Sequence, residues 1–558
     1  MNDNPPVVPE PPASALAPFR HGIFRRVWIA TLASNFGGMI QSVGAAWLMV
    51  ALAASPQMVT LVQASISLPI VLLALVAGAL ADSFDRRKLM LIGQTFMLGV
   101  STALAAFAYF GLITPWLLLL FTFLIGCGAA LNAPAWQASV GAMVPREDIP
   151  AAVTINSMGF NLARSLGPAV GGVIVAVAGA AAAFTINALS YVGLIFVLLG
   201  WRPTQERRLL PRERLASAIE AGIRYVTMSP AIKTTLVRGF VTGAGSSAVS
   251  SLLPLIARDT IGGGPAIYGL LLGAFGVGAV IGALSSHRLR IAYSNELIVR
   301  CALLGSAIGI VIAAFSTALA VTMAAMLLCG LGWVLIVSIL NATVQMSSPR
   351  WVVARALSLY QMATFGGMAG GSWVWGIFTE QWGLATALGI AACVQIGCIL
   401  LGRWFRLPET EDMNLDPMGF REPATIVPVQ SRTGPVVVTI EYRIAAEDVP
   451  AFLGIMAERR VIRRRNGARR WSVLRDLADP ELWIERYQSP TWTEYVRHNR
   501  RFTQDEAVIG DRIRALHMGP ERPIVRRLIE RQTGYPPEAG GPEPHEWTPP
   551  LTDASRQS

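Results

Sequence analysis

The sequence predicts an all-α membrane protein with twelve transmembrane helices in two six-helix repeats, followed by a C-terminal α+β domain. The first observation behind this prediction is composition. The 558 residues are 53% hydrophobic and 15% charged, and the mean hydropathy is +0.48, whereas soluble proteins are less apolar and more charged. The other two observations are the long apolar runs that recur up to Arg406 and the polar composition that follows. The chain up to Arg406 is therefore predicted to lie in a bilayer.

Twelve apolar runs are each near or above the roughly 20 residues that cross a hydrocarbon core. They lie at about 27–54, 58–81, 89–111, 115–143, 150–178, 181–201, 234–257, 266–286, 294–316, 318–346, 352–379 and 384–405. A charged, proline-containing stretch separates the sixth run from the seventh. The runs therefore form two groups of six.

The two groups repeat one design. Shifting the sequence against itself by about 204 residues aligns glycines and a proline near several helix ends without a gap. The aligned positions are Gly78 with Gly282, Gly126 and Gly128 with Gly330 and Gly332, Pro145 with Pro349, and Gly167 and Gly172 with Gly371 and Gly376. One offset that serves several helices predicts two parallel repeats.

Positive charge marks one side of the predicted spans. Arg25 and Arg26 precede the first span, and further arginines follow the second, fourth, sixth, eighth and tenth spans. Short Arg-rich loops stay in the cytoplasm, so both termini are predicted to be cytoplasmic.

The net charge of +11 is spread over these loops and the C-terminal region, so we expect no nucleic-acid partner. The five cysteines lie within apolar runs, which argues against a metal site, and no cofactor is predicted.

The loop between the second and third spans is a short charged segment, GALADSFDRRK, at residues 78–88. It resembles the signature loop between helices 2 and 3 of the major facilitator superfamily, although Ser83 and Asp85 stand where the family has a basic residue and a glycine. The resemblance implies a gating site made of Gly78, Asp82, Arg86, Arg87 and Lys88. It further implies that Asp82 meets the positive end of helix 11, from Trp351 onward. Taken alone, the charges also fit a simple cytoplasmic anchor.

The fifth predicted span contains a second motif, NLARSLGPAVGG, at residues 161–172. Its Gly167, Gly171 and Gly172 allow neighbouring helices to approach closely, and Pro168 permits a bend. The GPxxGG part resembles the motif of the antiporter branch of the superfamily. The arginine at position 164 within this motif resembles the pattern of the secretion-effector group, which includes the enterobactin exporters. A guanidinium inside a span is costly, so Arg164 is predicted either to contact the substrate or to pair structurally.

Polar and aromatic side chains along the spans predict a central substrate cavity. The candidate cavity residues are Asn35, Gln41, Asn132, Trp136, Asn161, Arg164, Asn341 and Gln361. Thr122 stands where the family pattern has an arginine, and no Asp or Glu lies deep inside a predicted span. Because proton relays in transporters generally use such acids, the sequence leaves the coupling ion open.

Composition divides the chain into segments of different character. The predicted segments are a disordered N-terminal tail (1–24), a first six-helix bundle (25–202), a cytoplasmic linker (203–233), a second bundle (234–406), a linker (407–434), a soluble domain (435–535) and a disordered tail (536–558).

The soluble domain alternates strand and helix patterns in the ferredoxin-like, split βαβ order. Through its run at 489–501 it resembles the antibiotic-biosynthesis monooxygenase type. Trp492 and His498 are six residues apart and fall on different helix faces, so a joint site is not expected, and His517 is the alternative.

The resemblance implies a secondary active efflux transporter, a multi-pass protein of the bacterial inner membrane. It would export a small molecule, such as a siderophore, a secondary metabolite or a drug, by alternating access. The alternatives are a monooxygenase-like enzyme or ligand-sensing domain tethered to the transporter, and an importer of the same fold. The implied partners are the small-molecule substrate, the lipid bilayer and a second copy paired through the C-terminal domain. No catalytic residue is predicted.

Overall fold

The computed structural model describes residues 16–52, 55–201, 215–349, 351–408, 414–420, 422–519 and 521–530. The predicted tail at 536–558, most of the predicted tail at 1–24 and the predicted linker up to residue 214 lie outside these residues. The described chain forms two compact units. The first unit holds most of the long apolar helices. The second holds the C-terminal domain together with two short stretches, 215–233 and the described residues of 343–357.

Long helices account for nearly all of the first unit. In chain order the helices of the first 401 residues are α1 (Gly22–Ala51), α2 (Pro56–Ser83), α3 (Arg86–Tyr109), α4 (Pro115–Ser139), α5 (Ile149–Gly200), the short α6 (Leu215–Thr227), α7 (Pro230–Leu255), α8 (Pro265–Ala292), α9 (Asn295–Phe315), α10 (Leu319–Met346), α11 (Val353–Trp382) and α12 (Leu384–Leu401). Among the described residues, nine helices are long and apolar enough to cross a membrane. Gly179, at φ 78°, interrupts α5 near the predicted break between the fifth and sixth spans. The twelve-span count stays a prediction.

Side-chain caps fix where several of these helices begin. Ser55, Thr114 and Ser294 each accept a hydrogen bond from the backbone N–H three residues ahead, which satisfies one of the free donors of a helix start. Proline occupies the first turn of α2, α4 and α8, where its missing N–H costs nothing. The short loops of the first unit therefore carry local start signals for the helices that follow them.

Glycines related by the 204-residue offset pack on equivalent helices of the two halves. Gly126 of α4 packs against α2, as its equivalent Gly330 of α10 packs against α8. Gly128 and Gly332 of the same two helices pack against α3 and α9. Gly167 of α5 packs against α1, as Gly371 of α11 packs against α7. At each of these positions a methyl group would meet the neighbouring helix at less than contact distance. The repeated glycines thus set the same close approaches twice, which small residues allow in a membrane protein.

The C-terminal domain is a four-stranded antiparallel sheet with helices. Its elements are β1 (Val436–Arg443), α13 (Val449–Asn466), β2 (Arg469–Arg475), β3 (Leu482–Ser489), α14 (Trp492–Arg500), α15 (Gln504–Ala515) and β4 (Ile524–Ile529). The strand order is β2-β3-β1-β4, with β1 and β3 in the centre. Crossovers through helices place the central strands side by side, as the split βαβ order requires. The expectation of a small α+β domain after the apolar helices is confirmed.

Residues 414–420 and 422–434 of the predicted linker at 407–434 lie along this domain. The N–H of Met418 donates to the carbonyl of Phe502 at 2.8 Å, and the N–H of Asp505 donates to the carbonyl of Asn414 at 3.0 Å. The indole N–H of Trp492 donates to Glu422 at 2.7 Å. These hydrogen bonds join residues 414–420 and 422–434 to the sheet domain as part of its fold.

Candidate functional site

The two halves of the first unit approach each other closely where α5 crosses α8. A methyl group at Gly172 would lie 2.8 Å from the Cα of Gly269, and a methyl group at Gly276 would lie 2.6 Å from the Cα of Ser165. The hydroxyl of Ser165 also donates to the carbonyl of Gly276 at 3.1 Å. The two backbones therefore touch without intervening side chains. Because α5 belongs to the first predicted repeat and α8 to the second, this crossing lies at the interface of the repeats.

The GPxxGG motif divides its glycines between two neighbours. Gly167 approaches Met39 and Gly171 approaches Ile40, both on α1. Gly172 instead faces α8, where the carbonyl of Pro265 would lie 2.7 Å from an added methyl group. The motif thus packs α5 against its own repeat on one side and against the other repeat on the opposite side.

Arg164 lies one turn before Pro168 on α5, beside this crossing, and its side chain is half-buried. The guanidinium carbon lies 5.8 Å from the centre of the Phe275 ring on α8. The described residues give Arg164 this cation–π contact and no carboxylate or hydrogen-bond partner. An aromatic face offsets only part of the cost of placing a guanidinium in an apolar span. Arg164 can therefore receive a further negatively charged group.

The other predicted cavity residues are not all near Arg164. Asn161 lies one turn before it on α5, and the Asn161 carbonyl accepts a hydrogen bond from Ser165 at 2.9 Å. Asn35, Asn132 and Asn341 are half-buried on α1, α4 and α10, whereas Gln361 on α11 is exposed. Asn161 is thus the predicted cavity residue that lies within one turn of Arg164 on the same helix.

Two of the predicted cavity residues, Gln41 and Trp136, have partners within the first repeat. The side-chain oxygen of Gln41 accepts hydrogen bonds from Ser101, at 3.1 Å, and from Asn187. Trp136 is buried in an apolar cluster with Phe24 and Met90. The contacts of Gln41 and Trp136 thus lie within the first repeat, and their part in a cavity stays a prediction.

The charged loop after α2 has a clear structural role at its end. The carboxylate of Asp85 accepts from the N–H groups of Arg87 and Lys88, so it caps α3. The guanidinium of Arg87 donates to the carbonyls of Leu198 and Leu199, both at 2.8 Å, and so satisfies the free C-terminal end of α5. Gly78 lies earlier, inside α2, where a methyl group added to it would be 3.9 Å from the hydroxyl oxygen of Ser358 on α11. The side chain of Asp82 lies outside the described residues, so its gating role stays a prediction.

Sequence reasoning missed a buried ion pair in the second repeat. The side chain of Arg238 on α7 is completely buried and pairs with Glu296 in the first turn of α9. Glu296 also accepts from Arg300 at 2.9 Å and from the backbone N–H of Leu407 at 3.4 Å. The available signal was an arginine inside the predicted seventh span with a glutamate near the start of the ninth. The sequence did not show that these two residues pair, because they are far apart in the chain.

The C-terminal domain buries a second charged cluster beneath its sheet. Glu485 is fully buried and accepts from Arg459 at 2.8 Å, from Arg463 at 3.2 Å and from the indole N–H of Trp471 at 3.0 Å. Burial by itself raises the pKa of Glu485, but the two guanidinium groups outweigh it and hold the pKa at about 2. The cluster is therefore a buried network in which one carboxylate is shared by two arginines.

The histidines and Trp492 of this domain do not form one site. His498 is buried beside Arg463, and burial followed by the charge of Arg463 lowers the His498 pKa to about 3. Trp492 instead bonds to Glu422. The ring of His517 accepts from the backbone N–H of Arg443 at 2.9 Å. Each side chain thus has its own structural partners.

Comparison with known proteins agrees with the helical architecture. The chain is 27% identical to the MFS-type transporter YfiS of Bacillus subtilis over 365 residues, which cover 62% of this chain and 85% of YfiS. It is 30% identical to the Escherichia coli enterobactin exporter EntS over 42% of this chain, and 26% identical to the Staphylococcus aureus staphyloferrin A transporter over 39%. The matches span only 56% and 54% of those two relatives.

Solved structures show the same fold at low sequence identity. A point mutant of the nucleoside transporter NupG superposes with a TM-score of 0.57 at 12% identity, covering 69% of this chain and all of NupG. A bacterial homologue of the lysosomal transporter Spinster superposes with a TM-score of 0.54 at 12% identity, covering 70% of this chain and 95% of the homologue. The sequence profile of the transmembrane secretion effector family matches residues 13–533, so the match includes the C-terminal domain. The chain therefore belongs to the transmembrane secretion effector family of the major facilitator superfamily.

Proposed function

We propose that this protein exports a small anionic molecule across the bacterial inner membrane by alternating access, with the cargo binding at Arg164. The observation that carries the proposal is the position of Arg164 at the crossing of α5 and α8. There the guanidinium faces an aromatic ring of the other repeat and has no carboxylate partner among the described residues. A bound anion would complete the charge balance of this site.

The chemistry of the guanidinium narrows the cargo. Its planar fork donates two parallel hydrogen bonds to paired oxygens, such as those of a carboxylate, phosphate or catecholate. Phe275 supplies an apolar and aromatic wall on the same side. An anion that also carries a ring or an apolar body fits both features. The names of the enterobactin exporter and staphyloferrin A transporter relatives support a siderophore as one such cargo.

The closely packed seam supports the transport mechanism. At the α5–α8 crossing the two repeats meet through backbone and glycine, so one repeat can roll on the other with little side-chain rearrangement. A substrate bound beside the seam would be exposed first to one side of the membrane and then to the other. Export as the direction rests on the resemblance of GPxxGG to the antiporter motif.

The cargo can be identified by comparing the metabolites released by cells with and without the gene. Transport of that metabolite is then measured in inverted membrane vesicles and divided by the amount of folded protein. We expect Arg164→Lys to remain folded and to lose most transport, because lysine keeps the charge and loses the planar fork. Arg258→Lys, at an exposed pair with Asp259, is the matched control.

Normal transport by both Arg164→Lys and Arg164→Ala would contradict the proposed site. Loss of transport in strict proportion to lost folded protein would instead make Arg164 a packing residue. Accumulation by cells, with no uptake into inverted vesicles, would reverse the proposed direction. The pairing of two copies through the C-terminal domain, and the cytoplasmic position of both termini, stay predictions.

A further inference from the structure

The second unit contains more than the C-terminal domain. It includes α6, which lies in the chain between the two repeats, and residues 343–357, which join α10 to α11. These stretches are separated in sequence from the C-terminal domain by at least 50 residues, yet they form one compact unit with it. Specific side chains of the domain must therefore hold both stretches.

Four side chains form a continuous stack across this unit. The guanidinium carbon of Arg501 lies 4.2 Å from the ring centre of Trp351, and that of Arg465 lies 4.9 Å from the ring centre of Tyr225. The Trp351 and Tyr225 rings meet edge to face, with centroids 5.4 Å apart. The C-terminal domain supplies both cations, the 343–357 stretch supplies Trp351, and α6 supplies Tyr225. We call these four residues the arginine–aromatic clamp.

The clamp is buried enough for its contacts to be strong. Tyr225 is 2% exposed and Arg501 is 8% exposed, and cation–π contacts strengthen when water is excluded. The indole N–H of Trp351 is buried without a hydrogen-bond partner in the described part of the chain. The Trp351 ring is therefore positioned by its cation–π contact with Arg501 and its edge-to-face contact with Tyr225.

Backbone contacts on α6 bring the same partners together. A methyl group at Gly222 would lie 2.9 Å from the Cβ of Arg355, so α6 rests directly on the 343–357 stretch. A methyl group at Gly467, just after α13, would lie 3.2 Å from the guanidinium of Arg224 on α6. Gly467 has φ 120°, a conformation that glycine adopts readily, and it ends α13. The domain therefore touches α6 at two neighbouring positions, Arg465 in the last turn of α13 and Gly467 just after it.

We propose that the C-terminal domain is a brake on the transporter, and that the arginine–aromatic clamp applies it. The clamp ties the connector between the repeats to the loop between α10 and α11 of the second repeat. Alternating access requires the repeats to move relative to each other, so a cycle must either carry the domain along or open the clamp. Contacts that exist in only one conformation stabilise that conformation and slow the transition out of it.

The size of the effect follows from the contacts. One partly buried cation–π contact shifts a two-state equilibrium by about 2- to 30-fold. Loss of Arg501 should therefore loosen both Trp351 and its neighbour Tyr225. In the stack, Arg501 contacts Trp351, and Trp351 contacts Tyr225 of α6. A change in the protection of α6 after substitution of Arg501 would therefore be transmitted through the ring of Trp351.

The first test uses hydrogen exchange of the full-length protein in lipid nanodiscs and needs no cargo. Arg501→Gln and Trp351→Ala are each expected to raise exchange about fivefold in peptides covering 215–227 and 351–357. Peptides of β1 should keep their protection, which shows that the domain is folded. The control Arg497→Gln lies one turn earlier on α14, paired with Glu494 on the helix surface, and should leave all these peptides unchanged. Unchanged exchange at α6 in both clamp variants would overturn the clamp.

The second test rests on the proposed transport function. Transport per folded molecule should rise at least about twofold in Arg501→Gln and in Trp351→Ala, and the double variant should gain no more than the single ones. Trp351→Phe keeps an aromatic face and should stay near the wild-type rate. Raised exchange with unchanged or reduced transport would keep the clamp and overturn the brake. If no transport occurs even in the wild type, the transport proposal fails while the exchange result still decides the clamp.

Discussion

Arg238 and Glu296 form an ion pair that joins α7 to α9, with the arginine side chain completely buried. Glu296 bridges this arginine to Arg300, and it also accepts from the backbone N–H of Leu407 beyond α12. Two nitrogens of Arg238 are buried without a hydrogen-bond partner in the described residues. The single carboxylate therefore neutralises a buried charge that has little other compensation.

We predict that Glu296→Gln lowers the stability of the protein by about 3–5 kcal/mol, because it leaves Arg238 charged, buried and unpaired. The measurement is the thermal unfolding of purified protein in detergent, together with the yield of membrane-inserted protein. Asp259→Asn, which breaks the exposed pair with Arg258, should change stability by less than about 1 kcal/mol. Equal stability of Glu296→Gln and wild type would mean that water or another group solvates Arg238.

The close crossing of α5 and α8 leads to a second prediction. Gly172→Ala should weaken the packing by about 1–3 kcal/mol, because the added methyl group meets the backbone of Pro265 and Gly269, which cannot rotate away. Gly193→Ala on the same helix meets nothing within 4 Å and should be neutral or slightly stabilising. Thermal unfolding of both variants tests the difference. A Gly172→Ala protein as stable and active as Gly193→Ala would remove the crossing from the mechanism.

The two acidic residues of the charged loop should act differently. Asp82→Asn is predicted to leave insertion intact and to slow transport by about two- to tenfold, because it weakens the expected contact with the positive end of helix 11. Asp85→Ala removes the cap of α3 and should cost about 1 kcal/mol of stability while transport per folded molecule is unchanged. Vesicle transport and thermal unfolding separate these outcomes. Undiminished transport by Asp82→Asn would favour the simple anchor.

The buried imidazole of His498 makes the C-terminal domain sensitive to acid. Its pKa is about 3 in the folded protein, below the 6.5 expected when unfolded. Between these values the unfolded chain binds more protons, so stability should fall as pH decreases from 6.5 towards 3. The loss contributed by His498 should reach at most about 3 kcal/mol at pH 4.

Urea-dependent proteolysis of the full-length protein, followed at sites in the C-terminal domain, measures this slope. His498→Gln should flatten it between pH 6.5 and 5. Below about pH 4.5 the variant should still lose stability, because Glu485 also has a lowered pKa, about 2. An identical slope in wild type and His498→Gln would show that the imidazole binds protons equally well in the folded and the unfolded domain.

Local patterns were enough to predict much of the fold. Hydropathy and charge predicted the membrane environment, and the change to a polar composition after Arg406 predicted the small α+β domain that the structure has. The 204-residue offset pointed to equivalent glycines, such as Gly126 and Gly330, that make equivalent contacts. These features depend on short stretches of chain, because helix and strand periods and helix caps are local properties.

The partners of individual side chains were decided by the tertiary structure. Arg87, assigned to the gate by resemblance, satisfies carbonyls at the end of α5, and Gln41, assigned to a cavity, bonds within the first repeat. The pairing of Trp351 with Arg501 joins residues 150 positions apart (501 − 351). No sequence period relates such residues. Their contacts arise only when packed helices and the sheet domain bring distant segments together, since burial requires each charge and ring to find a partner in space.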